Sequence, residues 1–300
     1  MKTYDLIILG AGPAGLTAGI YAARYKLNSL IIGKMPGGYA SEASEISNFP
    51  SYEKISGIEL IKKMMFQVKN LGVEIKIEEI IKIKKGKKGF SVKTNKSEYQ
   101  AKKIILATGT RKQKLNLPGE SDLTGKGIAY CATCDAPLYR DKIAGVFGGG
   151  NAALTTSLLL TKYAKKVFLI YKREKFRADP VWIEHVEKNK KIEKILNSEI
   201  KELNGKEKLE SITLTSQKKL KLDGLFIEIG TVPSIELSSQ LGIKSENNYI
   251  IVNKKQETSV TGVFAAGDIT NNPLKQVITA CAEGAIAASS AFKELNKESS

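Results

Sequence analysis

Histidine, cysteine and tryptophan are nearly absent from this chain: one His, three Cys and one Trp in 300 residues. Three cysteines are too few for the disulfide framework that holds small secreted domains together. Zinc is excluded in the same way. Beyond the close pair Cys131 and Cys134, only Cys281 and the single histidine, His185, remain as ligands of the right kind, so no metal is expected. Long apolar runs are missing too. No segment approaches the roughly 18 uninterrupted apolar residues of a membrane helix. The apolar run at residues 4–9 carries Asp5 and is too short for a signal-peptide core. The expectation is a cytoplasmic protein with no membrane contact.

Acidic residues are in deficit as well, and the formal net charge is +16. Such a charge first suggests nucleic acid, whose phosphates a basic surface neutralises. The excess is mostly lysine, however, and it is scattered, as in residues 81–88, 187–191 and 218–219. Arginine is the residue favoured for base and phosphate forks, and no recognition motif accompanies these lysines. A solvated lysine surface that attracts an acidic protein partner is expected, and no nucleic acid.

What the chain has in quantity is glycine, with 26 residues, alongside 42% apolar residues. Its length allows two domains, each with its own core. Residues 4–9 read as a strand, 14–25 as a small-residue helix and Ser29–Ile32 as a second strand. Between the first two lies a Gly-x-Gly-x-x-Gly loop made by Gly10, Gly12, Pro13, Ala14 and Gly15. In that context the first two glycines allow a tight turn and close approach of a pyrophosphate, and Gly15 lets strand and helix pack. The helix N-terminus then faces the phosphates. No Asp or Glu ends the second strand to hold a ribose; Gly33 and Lys34 stand there.

The same unit recurs. Ile143–Phe147 reads as a strand, residues 152–163 as a helix and Lys166–Ile170 as the next strand, with Gly148, Gly149, Gly150, Asn151, Ala152 and Ala153 at the turn. After the second strand come Lys172, Arg173 and Arg177, where an acid would mark NAD. Cations there suit a 2′-phosphate and so point to NADP. Elsewhere the pattern predicts a helix over Gly57–Asn70, strands in 73–83, Gly89–Thr94 and 103–107, a connector over 112–127, and strands near 211–215 and 224–229. A helix over 275–295 closes the chain.

Between the two glycine loops lies Cys131-Ala-Thr-Cys134-Asp135. One helical turn brings two such Cα atoms roughly 5–6 Å apart, within disulfide reach, and a helix N-terminus favours one thiolate. Asp135 either carries the proton that dithiol chemistry needs or is an ordinary cap or turn residue. Two dinucleotide loops and a cysteine pair together suggest electrons passing from one nucleotide, through a second, to a disulfide. Cys281 reads as a packed thiol. His185, on a charged helix, reads as a surface or packing residue rather than a proton shuttle.

With these residues assembled, the chain resembles the low-molecular-weight thioredoxin reductases, within the two-dinucleotide-binding flavoproteins, over about residues 4–292. The motifs that carry the resemblance are the two glycine loops, Glu45-Ile-Ser-Asn48-Phe-Pro50, Ala107-Thr108-Gly109, the cysteine pair with Asp135, and Lys172-Arg173 with Arg177. A stretch from Gly262 to Gly267 and Asp268, followed by Lys275, Gln276 and Val277, completes them. The resemblance implies an α/β fold of two Rossmann-like dinucleotide-binding domains, the second inserted into the first. It implies an FAD domain of residues 1–113 and 245–300, with Gly10, Gly12, Pro13, Ala14, Gly15, Gly38, Asn48, Thr108, Gly109, Gly267, Asp268, Lys275, Gln276 and Val277 as contacts. It implies an NADPH domain of residues 114–244 that carries the cysteine pair and binds through Gly148, Gly150, Asn151, Ala152, Lys172, Arg173 and Arg177.

The implied activity is NADPH-dependent reduction of thioredoxin or a thioredoxin-like protein by a homodimer. Cys134 would face the flavin, Cys131 would attack the partner disulfide and Asp135 would be the acid–base residue. Such enzymes rotate one domain to alternate nicotinamide and dithiol at the flavin; 112–119 and 230–245 are the matching connectors here. Three departures stand out. Tyr171-Lys172 replaces the usual His-Arg, Ala136-Pro137 follows the pair where Gly is usual, and Tyr39 follows Gly38 where Gln is commoner. Some relatives take electrons from ferredoxin or another donor, which remains the alternative.

Overall fold

A computed structural model describes residues 2–299. The chain forms two compact units. The first runs to Arg111 and resumes at Val232; the second is Lys112–Thr231.

The first unit opens with β1 (Thr3–Leu9), α1 (Pro13–Arg24), β2 (Ser29–Ile32), α2 (Gly57–Asn70), β3 (Glu74–Lys76), β4 (Ile80–Gly86), β5 (Gly89–Thr94) and β6 (Glu98–Leu106). Strands β2 and β6 flank β1 in parallel, with Ile7 opposite Leu30 and Ile104. Buried on both faces, β1 is apolar nearly throughout, as parallel strands are. Its alternation divides the core. Leu6 and Ile8 pack on the side of α1 and α2, while Ile7 and Leu9 pack on the other side with Phe90 and Val92. Strand β6 starts earlier than the expected 103, because Tyr99 and Ala101 extend the buried alternation. Strand β4, an edge of the sheet, carries Lys82, Lys84 and Lys85, and lysine on an edge discourages pairing with other chains.

The chain leaves this unit through β7 (Thr110–Lys112). The second unit contains α3 (Glu120–Leu123), β8 (Ile128–Ala129), α4 (Ala132–Asp135), β9 (Ile143–Phe147), α5 (Asn151–Leu160), β10 (Lys166–Ile170), α6 (Pro180–Glu187) and β11 (Ile192–Ile195). Strands β12 (Ile200–Asn204), β13 (Ser211–Leu214), β14 (Lys219–Lys221) and β15 (Gly224–Ile227) follow. Its main sheet, in the order β11-β10-β9-β15-β8, is parallel throughout. Val167 and Leu169 face one core, with α5 and α6; Phe168 and Ile170 face the other, with the antiparallel β12–β14 sheet. The connector expected over 112–127 holds the short helix α3.

The chain returns through β16 (Thr231–Pro233), paired with β7. Then come α7 (Glu236–Gln240), β17 (Ser245–Glu246), β18 (Tyr249–Ile250), β19 (Val263–Ala265) and α8 (Val277–Ser299). Helix α7 belongs to the first unit: Leu237 and Leu241 join its core, and Gln240 Oε1 accepts the Ile83 amide at 2.8 Å. Strand β19 adds to β6 in parallel. No described helix is long and apolar enough to cross a membrane.

Candidate functional site

In open parallel sheets, ligands collect beyond the C-terminal ends of the strands. In the first unit Gly10 follows β1, Gly33 follows β2, Thr108 and Gly109 lie just past β6, and Gly267 lies just past β19. Gly10 has φ +123°, and a Cβ there would stand 2.0 Å from the Ala107 carbonyl oxygen. A Cβ on Gly15 would stand 1.9 Å from the Gly10 oxygen. Both glycines are required by the packing of β1, β6 and α1. Gly12 differs. At the head of α1, the nearest atom to its would-be Cβ is 3.8 Å away, on Gly37. Open space over amides at a helix N-terminus, with Pro13 in the first turn, is a cradle that fits a pyrophosphate.

Some of the predicted residues lie beside that cradle. Gly38, φ +54°, approaches Gly12, and Gly267, φ +82°, packs on Ala14. Asn48 Nδ2 donates to Gln276 Oε1 at 3.0 Å. Thr108 Oγ1 donates to the Ser234 carbonyl at 3.4 Å, and the Ser234 amide donates to Gly109. Lys275 Nζ donates to the Thr270 carbonyl and lies 4.7 Å from the centre of the Tyr249 ring. Burial pushes the Asp268 carboxyl up, partly offset by Lys275, and pushes the Lys275 ammonium down. Asp268 makes no hydrogen bond among the described residues, which leaves a carboxylate to hold a hydroxyl-rich ligand. Val277 begins α8.

Sequence reasoning did not single out Glu283. It is buried and accepts the Gly267 amide at 2.8 Å and the Thr270 hydroxyl at 3.0 Å. An acid within the small-residue face of α8 was the available signal. Cys281 packs, half-buried, against the core.

In the second unit four strand ends carry the site: Tyr130 and Cys131 follow β8, Gly148 follows β9, Tyr171 follows β10 and Glu228 follows β15. A Cβ on Gly148, φ +154°, would stand 2.1 Å from the Glu228 carbonyl oxygen; Gly150, at the head of α5, has nothing within 4 Å. The open and closed glycines alternate as in the first loop, and this cradle too fits a pyrophosphate. Asn151, in the first turn of α5, donates to the Asp179 carboxylate at 2.8 Å and accepts the Asp179 amide at 2.7 Å. Ala152, Lys172, Arg173 and Arg177 are exposed. The Arg177 amide bonds the Gly149 oxygen at 2.7 Å, which brings that arginine to the loop.

Cys131 and Cys134 form a disulfide with Cα atoms 5.3 Å apart. Cys131 is the N-cap of α4, and its Sγ accepts the Cys134 amide at 3.3 Å. Asp135 closes the same turn, its amide bonded to the Cys131 carbonyl, and burial pushes its carboxyl up. Tyr139, buried beside β15, feels the charges of Asp135 and Asp223, although burial is the main cause of its own upward shift.

Two buried acids, neither marked by sequence reasoning, support this region. Glu120 accepts from the amides of Leu115 and Asn116 and from the Tyr130 hydroxyl. Glu228 pairs with Lys112 at 3.1 Å and accepts from Thr156. His185 is exposed, edge-on to Trp182.

Comparison with known proteins gives a consistent result. The family pattern described as pyridine nucleotide-disulphide oxidoreductase matches residues 4–284. Thioredoxin reductase of Bacillus subtilis is 38% identical over 296 residues, covering 96% of this chain and 94% of that protein. The crystal structure of Lactococcus lactis thioredoxin reductase superposes with a TM-score of 0.94 at 34% identity, covering 98% and 99% of the two chains. A ferredoxin-flavin thioredoxin reductase from Clostridium acetobutylicum is 32% identical with a TM-score of 0.55, covering 99% of each chain.

Proposed function

This chain belongs to the pyridine nucleotide-disulphide oxidoreductase family, among its thioredoxin reductases, and from that premise we propose that it is an FAD-dependent reductase carrying electrons from NADPH, by way of the Cys131–Cys134 disulfide, to thioredoxin or a thioredoxin-like protein. One observation carries the reading. The disulfide sits at the C-terminal edge of the same parallel sheet whose strand β9 opens the second glycine loop. A reducible pair and a dinucleotide cradle at one sheet edge have little use apart from redox chemistry.

FAD belongs to the first unit, held by the loop of Gly10, Gly12, Pro13, Ala14 and Gly15, by Gly38, Asn48, Thr108 and Gly109, and by Gly267, Asp268, Lys275, Gln276 and Val277. NADPH belongs to the second unit, at Gly148, Gly150, Asn151 and Ala152, with Lys172, Arg173 and Arg177 for the 2′-phosphate. When bound, FAD supplies a two-electron carrier between hydride donor and disulfide.

The rest is done by this chain's own residues. Opening the disulfide takes two electrons and two protons, and Asp135, its carboxyl pushed up by burial, holds a proton near the sulfurs. Cys131 then attacks the partner's disulfide. Its position as N-cap, accepting the Cys134 amide, favours the thiolate. A mixed disulfide forms and one partner thiolate leaves. Cys134 next attacks Cys131, the internal disulfide closes, and the partner departs as a dithiol. The working form is a cytoplasmic homodimer, which light scattering on the purified protein tests.

Anaerobic mixing with NADPH tests the donor: the flavin band near about 450 nm should bleach rapidly. A second reading keeps the disulfide chemistry but takes electrons from ferredoxin. Lys172, standing where a planar arginine fork would hold a 2′-phosphate, favours it, as does the likeness to the Clostridium protein. A flavin that stays oxidised with NADPH and bleaches with reduced ferredoxin decides for that reading.

A further inference from the structure

Past the end of β10, a dinucleotide fold reads the ribose that distinguishes its two nucleotides. An acid there accepts the 2′-hydroxyl of NADH; cations there neutralise the 2′-phosphate of NADPH. Lys172, Arg173 and Arg177 supply the cations. The fold also brings in an acid that lies far from them in sequence. After β11 the chain runs beside the segment after β10: the Asn197 amide bonds the Arg173 carbonyl at 3.3 Å and the Ser198 amide bonds the Tyr171 carbonyl at 3.0 Å. Glu199 comes next. Its own backbone is held by Thr215, whose amide bonds the Glu199 carbonyl at 2.9 Å and whose hydroxyl oxygen accepts the Glu199 amide at 3.4 Å. The carboxylate then lies 3.5 Å from Lys172 Nζ, each side chain about half exposed at 53% and 54%.

We propose that Glu199 is a specificity-determining residue for the electron donor, one that lowers the preference for NADPH over NADH below what the three cations alone would give. This rests on the assignment of the nucleotide to the second glycine loop. The physical argument has two parts. Glu199 offsets the charge of Lys172, and its field opposes a dianionic 2′-phosphate at a distance where solvent screens it only in part. Lysine, a point charge on a flexible stem, is more readily diverted to such a partner than an arginine fork. Since two backbone hydrogen bonds join the two segments and two more, one of them to the Thr215 hydroxyl, hold the Glu199 backbone, the acid's place is set by the fold rather than by the flexible side chain.

The test compares kcat/KM for NADPH and for NADH, in the holoenzyme with thioredoxin as acceptor, for the unmodified protein, Glu199→Gln and Glu193→Gln. Glu193 is a control of equal charge change. It pairs with Lys166 at the opposite end of β10 and is similarly exposed. Glu199→Gln should raise the NADPH-to-NADH ratio by roughly three- to tenfold at low salt, with the gain shrinking as ionic strength rises. Glu193→Gln should leave the ratio unchanged. A ratio in Glu199→Gln within about twofold of the unmodified protein, or an equal rise in Glu193→Gln, overturns the inference while leaving the proposed function standing. An unmodified protein whose flavin neither nucleotide reduces overturns the donor assignment and this inference together.

Discussion

The carboxylate of Glu120 accepts a hydrogen bond from the hydroxyl of Tyr130, the residue immediately before Cys131. The same carboxylate accepts the amides of Leu115 and Asn116. One buried acid therefore ties the entering connector, helix α3 and the approach to the cysteine pair into a single piece. Burial, reinforced by Glu120, pushes the Tyr130 phenol well above its ordinary range, so the tyrosine stays a donor at any working pH.

Removing that acid should loosen the second unit. Glu120→Ala strands two backbone amides and a phenol, a loss of about 2–4 kcal/mol. Tyr130→Phe leaves the amides paired and should cost about 1 kcal/mol. Urea unfolding of the two variants, with cysteines oxidised, measures both.

The open glycines, Gly12 and Gly150, and the closed ones, Gly10, Gly15 and Gly148, should behave differently. Gly10→Ala drives a Cβ into the Ala107 carbonyl at a positive φ, and little folded protein should accumulate. Gly12→Ala meets only an atom 3.8 Å away, so the chain should fold but lose flavin where a phosphate would lie. The ratio of flavin to protein absorbance in purified samples, with circular dichroism for folding, separates these outcomes.

Asp135 should set a descending limb in the pH profile of disulfide reduction, turnover falling as rising pH removes the proton it holds near the sulfurs. Burial raises its carboxyl, so the limb lies above the ordinary aspartate range. Asp135→Asn should slow turnover by roughly a hundredfold or more and remove the limb. Steady-state rates from acid to neutral pH, with thioredoxin as acceptor, show whether it disappears.

Lys112 and Glu228 form an ion pair whose side chains are 18% and 7% exposed. Burial pushes Glu228 up, and Lys112 is the first of the influences that hold it down. Lys112→Met removes that partner, so Glu228 must protonate or remain charged in the interior, at a cost of about 3–5 kcal/mol near neutral pH. A carboxyl raised in the folded state takes up more protons there than when unfolded. The variant's stability should thus be greatest below the ordinary glutamate range and fall as pH rises through the raised value. Thermal unfolding across that range reads the slope.

Much of this was legible because it is local. Both strand–glycine–helix units are contiguous, and Ile143–Phe147 and Lys166–Ile170 begin and end where their short apolar runs predict. The Cys131–Cys134 turn is likewise a matter of one helical turn. What escaped is non-local. Glu79, ion-paired with Lys34 just past β2, brings an acid to the region where the chain itself has only glycine and lysine. Glu283, Glu228 and Glu199 also meet their partners across long sequence separations, and a single glutamate, inside a helix like Glu283 or just outside a strand like the other two, carries no mark of such a meeting. The short antiparallel strands β12 and β14 escaped for another reason: their alternation, diluted by lysine and glutamate, looks like a solvated loop.

The central claim is that electrons leave this protein through Cys131 and Cys134, and NADPH consumption with oxidised thioredoxin tests it most directly. In Cys131→Ser and in Cys134→Ser, NADPH should still bleach the flavin while thioredoxin reduction falls to background. Sustained thioredoxin reduction by either variant would contradict the account.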